Sequence, residues 1–236
     1  VNRKNHSSYI LYGWHTVYEA LKNKKRRCRR LLVTRNALQK LQEKMPTLPL
    51  VPECVEPRFL DRLLPCDAVH QGLYLEADPL PEVPLNALSD SGLFLALDQV
   101  TDPHNVGAII RTAAAFGVDA LIMTDRHSPD MTSVVAKSAS GGLEHVSLCI
   151  IPNLGNALLE LKERHFTCIG LDSEANTTLN SFSSTSRPLV LVLGAEGKGL
   201  RARTRSLCTM ARIDLPGDLV SLNVSNAAAI ALHCVA

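Results

Sequence analysis

Pro188-Leu189-Val190-Leu191-Val192-Leu193-Gly194-Ala195-Glu196-Gly197-Lys198-Gly199 is an unbroken apolar run ending in a glycine-rich polar turn. A continuous run of this length without alternation predicts a strand buried on both faces, which is the habit of parallel sheets. Working outward, 93–97, 120–123, 146–151 and 168–171 are further short apolar runs, separated by stretches of helical spacing. This alternation predicts an α/β domain with a mostly parallel sheet and helices on both faces. Ligands of such sheets bind outside the carboxyl ends of the strands, so the turns that follow the runs are the places to look for chemistry.

Three such turns are unusually polar. The one after 189–193 carries Gly-x-x-Gly-x-Gly, which is neither the dinucleotide Gly-x-Gly-x-x-Gly nor a phosphate loop, because Lys198 precedes Gly199 and not Ser or Thr. Glu196 argues against a phosphate ligand and tolerates a cationic or hydroxyl-bearing one. A second turn, Asp98-Gln99-Val100-Thr101-Asp102-Pro103-His104-Asn105-Val106-Gly107, runs into a helical pattern that contains Arg111 and closes at Gly117. Asn105 is expected to cap that helix, and Arg111, one turn beyond Gly107, to point back towards the pocket. A capped surface helix with a solvated arginine is the plainer alternative. The third turn, Ser221-Leu222-Asn223-Val224-Ser225, leads into the Ala-rich stretch Asn226-Ala227-Ala228-Ala229-Ile230-Ala231-Leu232, a helix able to pack closely against a neighbour. Packing alone rarely asks for Asn, Arg, Glu and Ser at the ends of buried strands, so one shared pocket is expected.

The N-terminal third reads as a smaller α/β unit. Helices are expected over 12–23, 37–44 and 58–64, with strands at 31–33, 48–51 and 73–77. Three prolines within Asp78-Pro79-Leu80-Pro81-Glu82-Val83-Pro84 rule out a helix or central strand there. Residues 8–77 are therefore expected to form one domain, 78–92 a linker and 93–236 the second domain.

Composition suits this plan: 236 residues, 46% hydrophobic and 20% charged, are enough for one ample core or two unequal ones. No apolar run has the length of a membrane span, and Val1-Asn2-Arg3-Lys4-Asn5 lacks the apolar core of a signal peptide. The seven cysteines are scattered, without Cys-x-x-Cys or zinc-finger spacing, so reduced thiols of a cytosolic protein and no metal are expected. The net charge is only +2, yet from Lys22 to Arg30 seven of nine residues are basic. Lys24, Lys25, Arg26, Arg27, Arg29 and Arg30 predict a local field suited to a phosphate backbone; a solvated surface loop is the alternative.

The three turns, in order and spacing, resemble the motifs of the SpoU (TrmH) family of RNA ribose 2'-O-methyltransferases. Leu11-Tyr12-Gly13-Trp14-His15 and His70-Gln71-Gly72 make the N-terminal unit similar to that family's substrate-binding domain, in the branch acting on a guanosine of large-subunit ribosomal RNA. The resemblance implies a C-terminal trefoil knot, which patterning alone would never suggest. It also implies S-adenosylmethionine as cofactor, RNA as substrate and a homodimer. By match to the motifs, Asn105, Arg111, Glu196, Ser221 and Asn223 are the functional polar residues. The stretch around Leu193, Gly194, Ile213, Leu215, Leu222 and Ser225 binds the methyl donor, and His70 and Gln71 join the basic run on RNA. Arg111 is often described as a base in this family; a guanidinium holds its proton too tightly, and stabilising the developing alkoxide is the better expectation. Ile213-Asp214-Leu215 departs from the Ile-Pro-Met or Ile-Pro-Leu common in the family, with proline displaced to Pro216. Transfer RNA as substrate, a non-catalytic RNA-binding homologue and a small-molecule enzyme are the competing readings.

Overall fold

The computed structural model describes residues 9–182 and 187–236. Ser8, the expected start of the first domain, and the opening pentapeptide lie outside the described residues. The chain divides into two compact units, one holding the described residues up to Leu80 together with Met131–Glu144, the other Pro81–Asp130 and His145–Ala236.

The first unit builds a four-stranded sheet in the order β1-β4-β2-β3 from β1 (Tyr9–Tyr12), β2 (Cys28–Val33), β3 (Glu53–Cys54) and β4 (Leu73–Ala77). Helices α1 (Trp14–Lys22), α2 (Arg35–Lys44) and α3 (Pro57–Leu63) connect them. Tyr12, Leu32, Leu60, Leu64 and Tyr74 pack into one apolar cluster. One strand expectation and one helix boundary shift. The run 48–51 forms no strand and Val51 is 89% exposed. Pro49 and Pro52 have no N–H to donate to a ladder, so pairing with β2 begins only at Glu53. β1 occupies Tyr9–Tyr12, where the helix was expected to begin; it pairs antiparallel with β4, and α1 starts two residues later.

Residues 131–144 were assigned to the second domain by sequence, yet α5 (Ser133–Ala139) packs in the first unit. The Thr16 hydroxyl donates to the Ala136 carbonyl, and Lys137 Nζ to the Val69 carbonyl at 2.7 Å. A segment of seven helical residues with a mixed pattern carries no mark of which sheet it will cover.

The second unit contains a six-stranded sheet in the order β10-β8-β9-β5-β6-β7, parallel at every pairing. Its strands are β5 (Leu93–Asp98), β6 (Ala120–Thr124), β7 (Ser147–Ile151), β8 (Thr167–Leu171), β9 (Leu189–Gly194) and β10 (Thr209–Ala211). The inner strands β5 and β6 are buried at every residue, as their uninterrupted apolar runs require. Phe94 stacks on Phe166 with ring centroids 4.8 Å apart. The helices are α4 (Pro103–Ala115), α6 (Leu154–Glu163), α7 (Ala202–Leu207) and α8 (Val224–Val235), and α8 packs on α4. The three-residue β10, exposed at its first position, was too short for the apolar pattern to reveal.

The expected cap of α4 is corrected. Asp102 accepts the His104 N–H at 3.0 Å and Pro103 takes the first helical position, so Asn105 lies inside the first turn. Proline with its fixed φ is preorganised for that place, and an aspartate before it caps as well as asparagine. The Asn105 side chain is thereby released for another use.

Candidate active site

Strand β9 delivers Gly194 to the carboxyl edge of the sheet, opposite Asp98 of β5. Beyond it the chain folds back tightly: Gly199 donates its N–H to the Ala195 carbonyl at 2.8 Å. A side chain at Gly194 would meet the Gly199 carbonyl carbon at 2.3 Å, and Gly199 itself has φ +63. The Gly-x-x-Gly-x-Gly spacing thus serves a hairpin, not a phosphate cradle. Asp98, fully buried, fastens the far end by accepting from Arg201 N (3.0 Å) and Nε (2.6 Å). With both ends of the turn held, Glu196 is carried at its tip.

Glu196 joins the three polar turns. Its Oε1 accepts from Asn105 Nδ2 at 3.2 Å, from Asn223 Nδ2 at 2.5 Å and from Val224 N at 3.3 Å. Asn223 also donates to Asn105 Oδ1 at 3.0 Å and caps α8 by accepting the Ser225 N–H at 2.9 Å. A carboxylate beside a helix N-terminus is favourably placed, since the unpaired amides there carry partial positive charge. Residues far apart in sequence, 105, 196 and 223, therefore form one hydrogen-bonded cluster.

That cluster borders a cavity of about 730 Å³ over the ends of β8 and β9. Leu193, Gly194, Ile213, Leu215 and Leu222, all expected at a donor site, line it, as do Glu196, Ser221 and Asn223. Ser225 is not among the lining residues; its hydroxyl is spent on Asn223 Oδ1 at 2.5 Å, where it supports the helix cap. Asn105 touches the cluster from α4 without lining the cavity, and Arg111 is exposed on α4 outside the lining set. The sequence reading missed Asp172, Ser173 and Glu174, which form another wall. They follow the run 168–171, so the rule that singled out the other strand ends applied to them unnoticed. Asp172 is ion-paired with Arg205 of α7, another lining residue.

The chemistry of the lining suits a sulfonium donor bearing a nucleoside. Leucines and an isoleucine offer an apolar slot for a base, while Glu174 and Glu196 supply carboxylates next to a cationic centre. Thiol chemistry is disfavoured at three cysteines of this unit: burial pushes Cys149 and Cys168 up to about 11 and Cys208 up to about 12. Their thiolates are scarce at neutral pH. Among the described residues there is no group of three or more His, Cys, Asp and Glu side chains able to hold a metal ion.

The basic run of the first unit is largely consumed by internal pairing. Arg26 turns inward, its side chain 2% exposed, and binds Glu144, itself 4% exposed, at 2.5 Å. Asn23 adds a bond to the same carboxylate at 2.7 Å, and Arg26 Nη1 donates to the Asp78 carbonyl at 2.8 Å. Arg29 forms a fork with Asp78, and Arg30 another with Glu53 at 2.8 Å for each bond. These guanidiniums hold Asp78 and Glu53 below the usual carboxylate range. Lys24, Lys25 and Arg27 are exposed, with Arg27 only 3.8 Å from Asp78.

His70 and Gln71 also have structural work. His70 Nδ1 accepts the Gly72 N–H at 2.9 Å, which leaves the proton on Nε2, 3.0 Å from Asp61. Gln71 Oε1 accepts the Trp14 N–H at 2.8 Å and so caps α1 from 57 residues away. The two signatures Leu11 to His15 and His70 to Gly72 meet because one closes the first turn of the other.

Fold and site together define a two-unit α/β protein with a nucleoside-sized cavity over the carboxyl edge of a parallel sheet. Residues 92–233 match the model of the SpoU rRNA Methylase family, and residues 10–83 match that of the RNA 2'-O ribose methyltransferase substrate binding domain. The chain belongs to the SpoU methylase family. It is 35% identical to the 23S rRNA (guanosine-2'-O-)-methyltransferase RlmB of Yersinia pestis, over 95% of each chain, and 36% identical to RlmB of Pasteurella multocida, over 94% and 95%. Among solved structures, the SpoU methyltransferase AviRb from Streptomyces viridochromogenes in complex with AdoMet superposes with a TM-score of 0.82, covering 99% of this chain and 92% of that one at 23% identity. An AdoMet-bound rRNA methyltransferase from Sinorhizobium meliloti gives 0.79, at 21% identity and with 96% and 86% covered. At these identities the superpositions speak for the fold.

Proposed function

We propose that this protein transfers the methyl group of S-adenosylmethionine to the 2'-hydroxyl of a guanosine ribose in large-subunit ribosomal RNA. The observation that carries the reading is the convergence of Asn105, Glu196 and Asn223 beside one cavity of nucleoside size. The RlmB relatives, similar over nearly the whole chain, support the choice of RNA.

When bound, the donor supplies an electrophilic methyl group. The chain's own part is positioning and charge. Leu193, Leu215 and Leu222 hold the donor's base, Gly194 lets the 195–199 turn fold back upon it, and Glu196, carried by that turn, sets Asn105 and Asn223 at the mouth, where a ribose is to be aligned. Arg111 stabilises the negative charge that grows on the ribose oxygen as its proton leaves to solvent. Its exposed place outside the cavity of a single chain favours a homodimer in which each pocket is completed by Arg111 of the second protomer. The small-residue flank of α8, with Ile230 exposed, is suited to that interface. The trefoil knot belongs to the same reading, supported by the course of 212–223 from the edge strand β10 back along the cavity to α8.

Incubation of the protein with radiolabelled donor and either large-subunit ribosomal RNA transcripts or transfer RNA, followed by mapping of ribose methylation, tests the assignment. Label at one guanosine of the ribosomal transcript is expected. Label on transfer RNA alone overturns the substrate, and label on neither overturns the activity.

The first unit is the RNA-binding part of this reading, and its grip on phosphates falls to Lys24, Lys25 and Arg27; of the expected linker 78–92, residues 81–92 belong to the second unit, where Leu88 joins the core. Replacing these three by alanine is expected to lower the slope of log affinity against log salt by about two to three, near one for each phosphate left unneutralised. An unchanged slope returns the basic run to a solvated, internally paired surface.

A further inference from the structure

Two neighbouring loops line the cavity: 172–174 after β8, and 213–215 after β10. Backbone bonds join their bases, from Asp172 N to Ala211 O (2.9 Å), Arg212 N to Thr177 O (2.9 Å) and Leu179 N to Arg212 O (2.7 Å). Beyond these bonds the fastening passes to side chains. Ile213 and Leu215 line the cavity, while Asp214 between them binds the Thr178 hydroxyl and, at 3.0 Å, Arg212 Nε. Arg212 in turn donates through Nη1 to the carbonyls of Ala175 (2.9 Å) and Asn176 (2.6 Å). The chain Thr178–Asp214–Arg212–Ala175 closes a ring around the root of both loops.

We propose that Asp214, with Thr178 and Arg212, is a positioning clamp that sets the separation of the two cavity walls and thereby the affinity for the methyl donor. The proposal rests on reading the cavity as the donor site. Arg212 and Asp214 are 37% and 50% exposed, and an exposed pair of this kind adds little to overall stability. Its worth lies in geometry: Ile213 and Leu215 line the cavity while Asp214 between them is bound to Thr178 and Arg212, so the Asp214 anchor fixes the facing of both neighbours. Asp214 and Thr178 make no contact with the cavity themselves.

The test uses the full chain with Asp214→Ala, Thr178→Val and the double variant, assayed with saturating RNA. Each single variant is expected to raise the donor KM roughly three- to tenfold, the span of one or two missing hydrogen bonds. The kcat should stay within about twofold and the thermal midpoint within about 2 °C. The double variant should be no worse than Asp214→Ala, because both changes cut the same bond. Ala227→Phe, which fills the cavity from α8, separates the two layers of the argument. Donor binding that survives Ala227→Phe overturns the cavity as donor site. Binding abolished in Ala227→Phe but an unchanged donor KM in Asp214→Ala and Thr178→Val overturns the clamp alone. A fall in kcat and thermal midpoint in step with KM marks general damage and also overturns it.

Discussion

Arg111→Ala is expected to lower methyl transfer by about 10²- to 10³-fold, the usual loss when one preorganised donor to a developing oxyanion is removed. Donor binding measured by calorimetry should stay within about twofold, because Arg111 lies outside the residues that line the cavity. Arg111→Lys should recover only part of the loss, since an ammonium keeps the charge but not the planar fork. The proposed dimer adds a sharper expectation. Mixing Arg111→Ala protomers with cavity-blocked Ala227→Phe protomers should restore activity, because the open pocket of one then receives the arginine of the other. A mixture as inactive as its components would place Arg111 in its own chain's site. Loss of donor affinity equal to the loss of rate would remove Arg111 from the chemistry.

The second large effect concerns stability. Arg26→Met should destabilise the first unit by about 3–5 kcal/mol, the cost of leaving a buried carboxylate, here Glu144, without its partner. Trp14 is the single tryptophan and begins α1 of that unit, so its fluorescence during urea unfolding reports the unit selectively. The double replacement Arg26→Met with Glu144→Leu should regain most of the loss, because an apolar pair of similar volume needs no desolvation of charge. A midpoint for Arg26→Met within experimental error of the parent would mean that the pair is open to water and that Arg26 is available to RNA after all. The same residue thus carries two incompatible roles, and one unfolding curve decides between them.

Much of this site was legible in the chain before any coordinates. A polar turn after the buried run 189–193 marked Glu196; Ser221 and Asn223 were marked in the same way, although Leu219 and Val220 before them are exposed and form no strand, and the expected donor-site residues Leu193, Gly194, Ile213, Leu215 and Leu222 do line one cavity. Where the reading went astray, several groups competed for one job. Asn105 looked like a helix cap, but Asp102 took that place and left it to bind Glu196. Ser225 looked like a ligand-binding residue, and it closes a cap instead. The basic run looked like one surface, yet a charge cluster cannot show which of its members have carboxylates waiting in distant segments. Glu53, Asp78 and Glu144 lie 23, 49 and 118 residues from their arginines.

By itself the sequence determined the class of fold, through uninterrupted apolar runs that only a sheet covered on both faces can bury. It marked equally the turns after β5 and β9 as places where polar groups would gather, because such groups at buried strand ends need partners. Tertiary structure alone decided which partner each group obtained: that Glu196 gathers Asn105 and Asn223, that Arg26 is buried, that Gln71 caps a helix 57 residues away, and that 131–144 packs with the first unit. The physical reason is that burial and periodicity are properties of a local stretch, whereas a hydrogen bond or ion pair depends on which of many chemically equivalent groups the folded chain brings within about 3 Å.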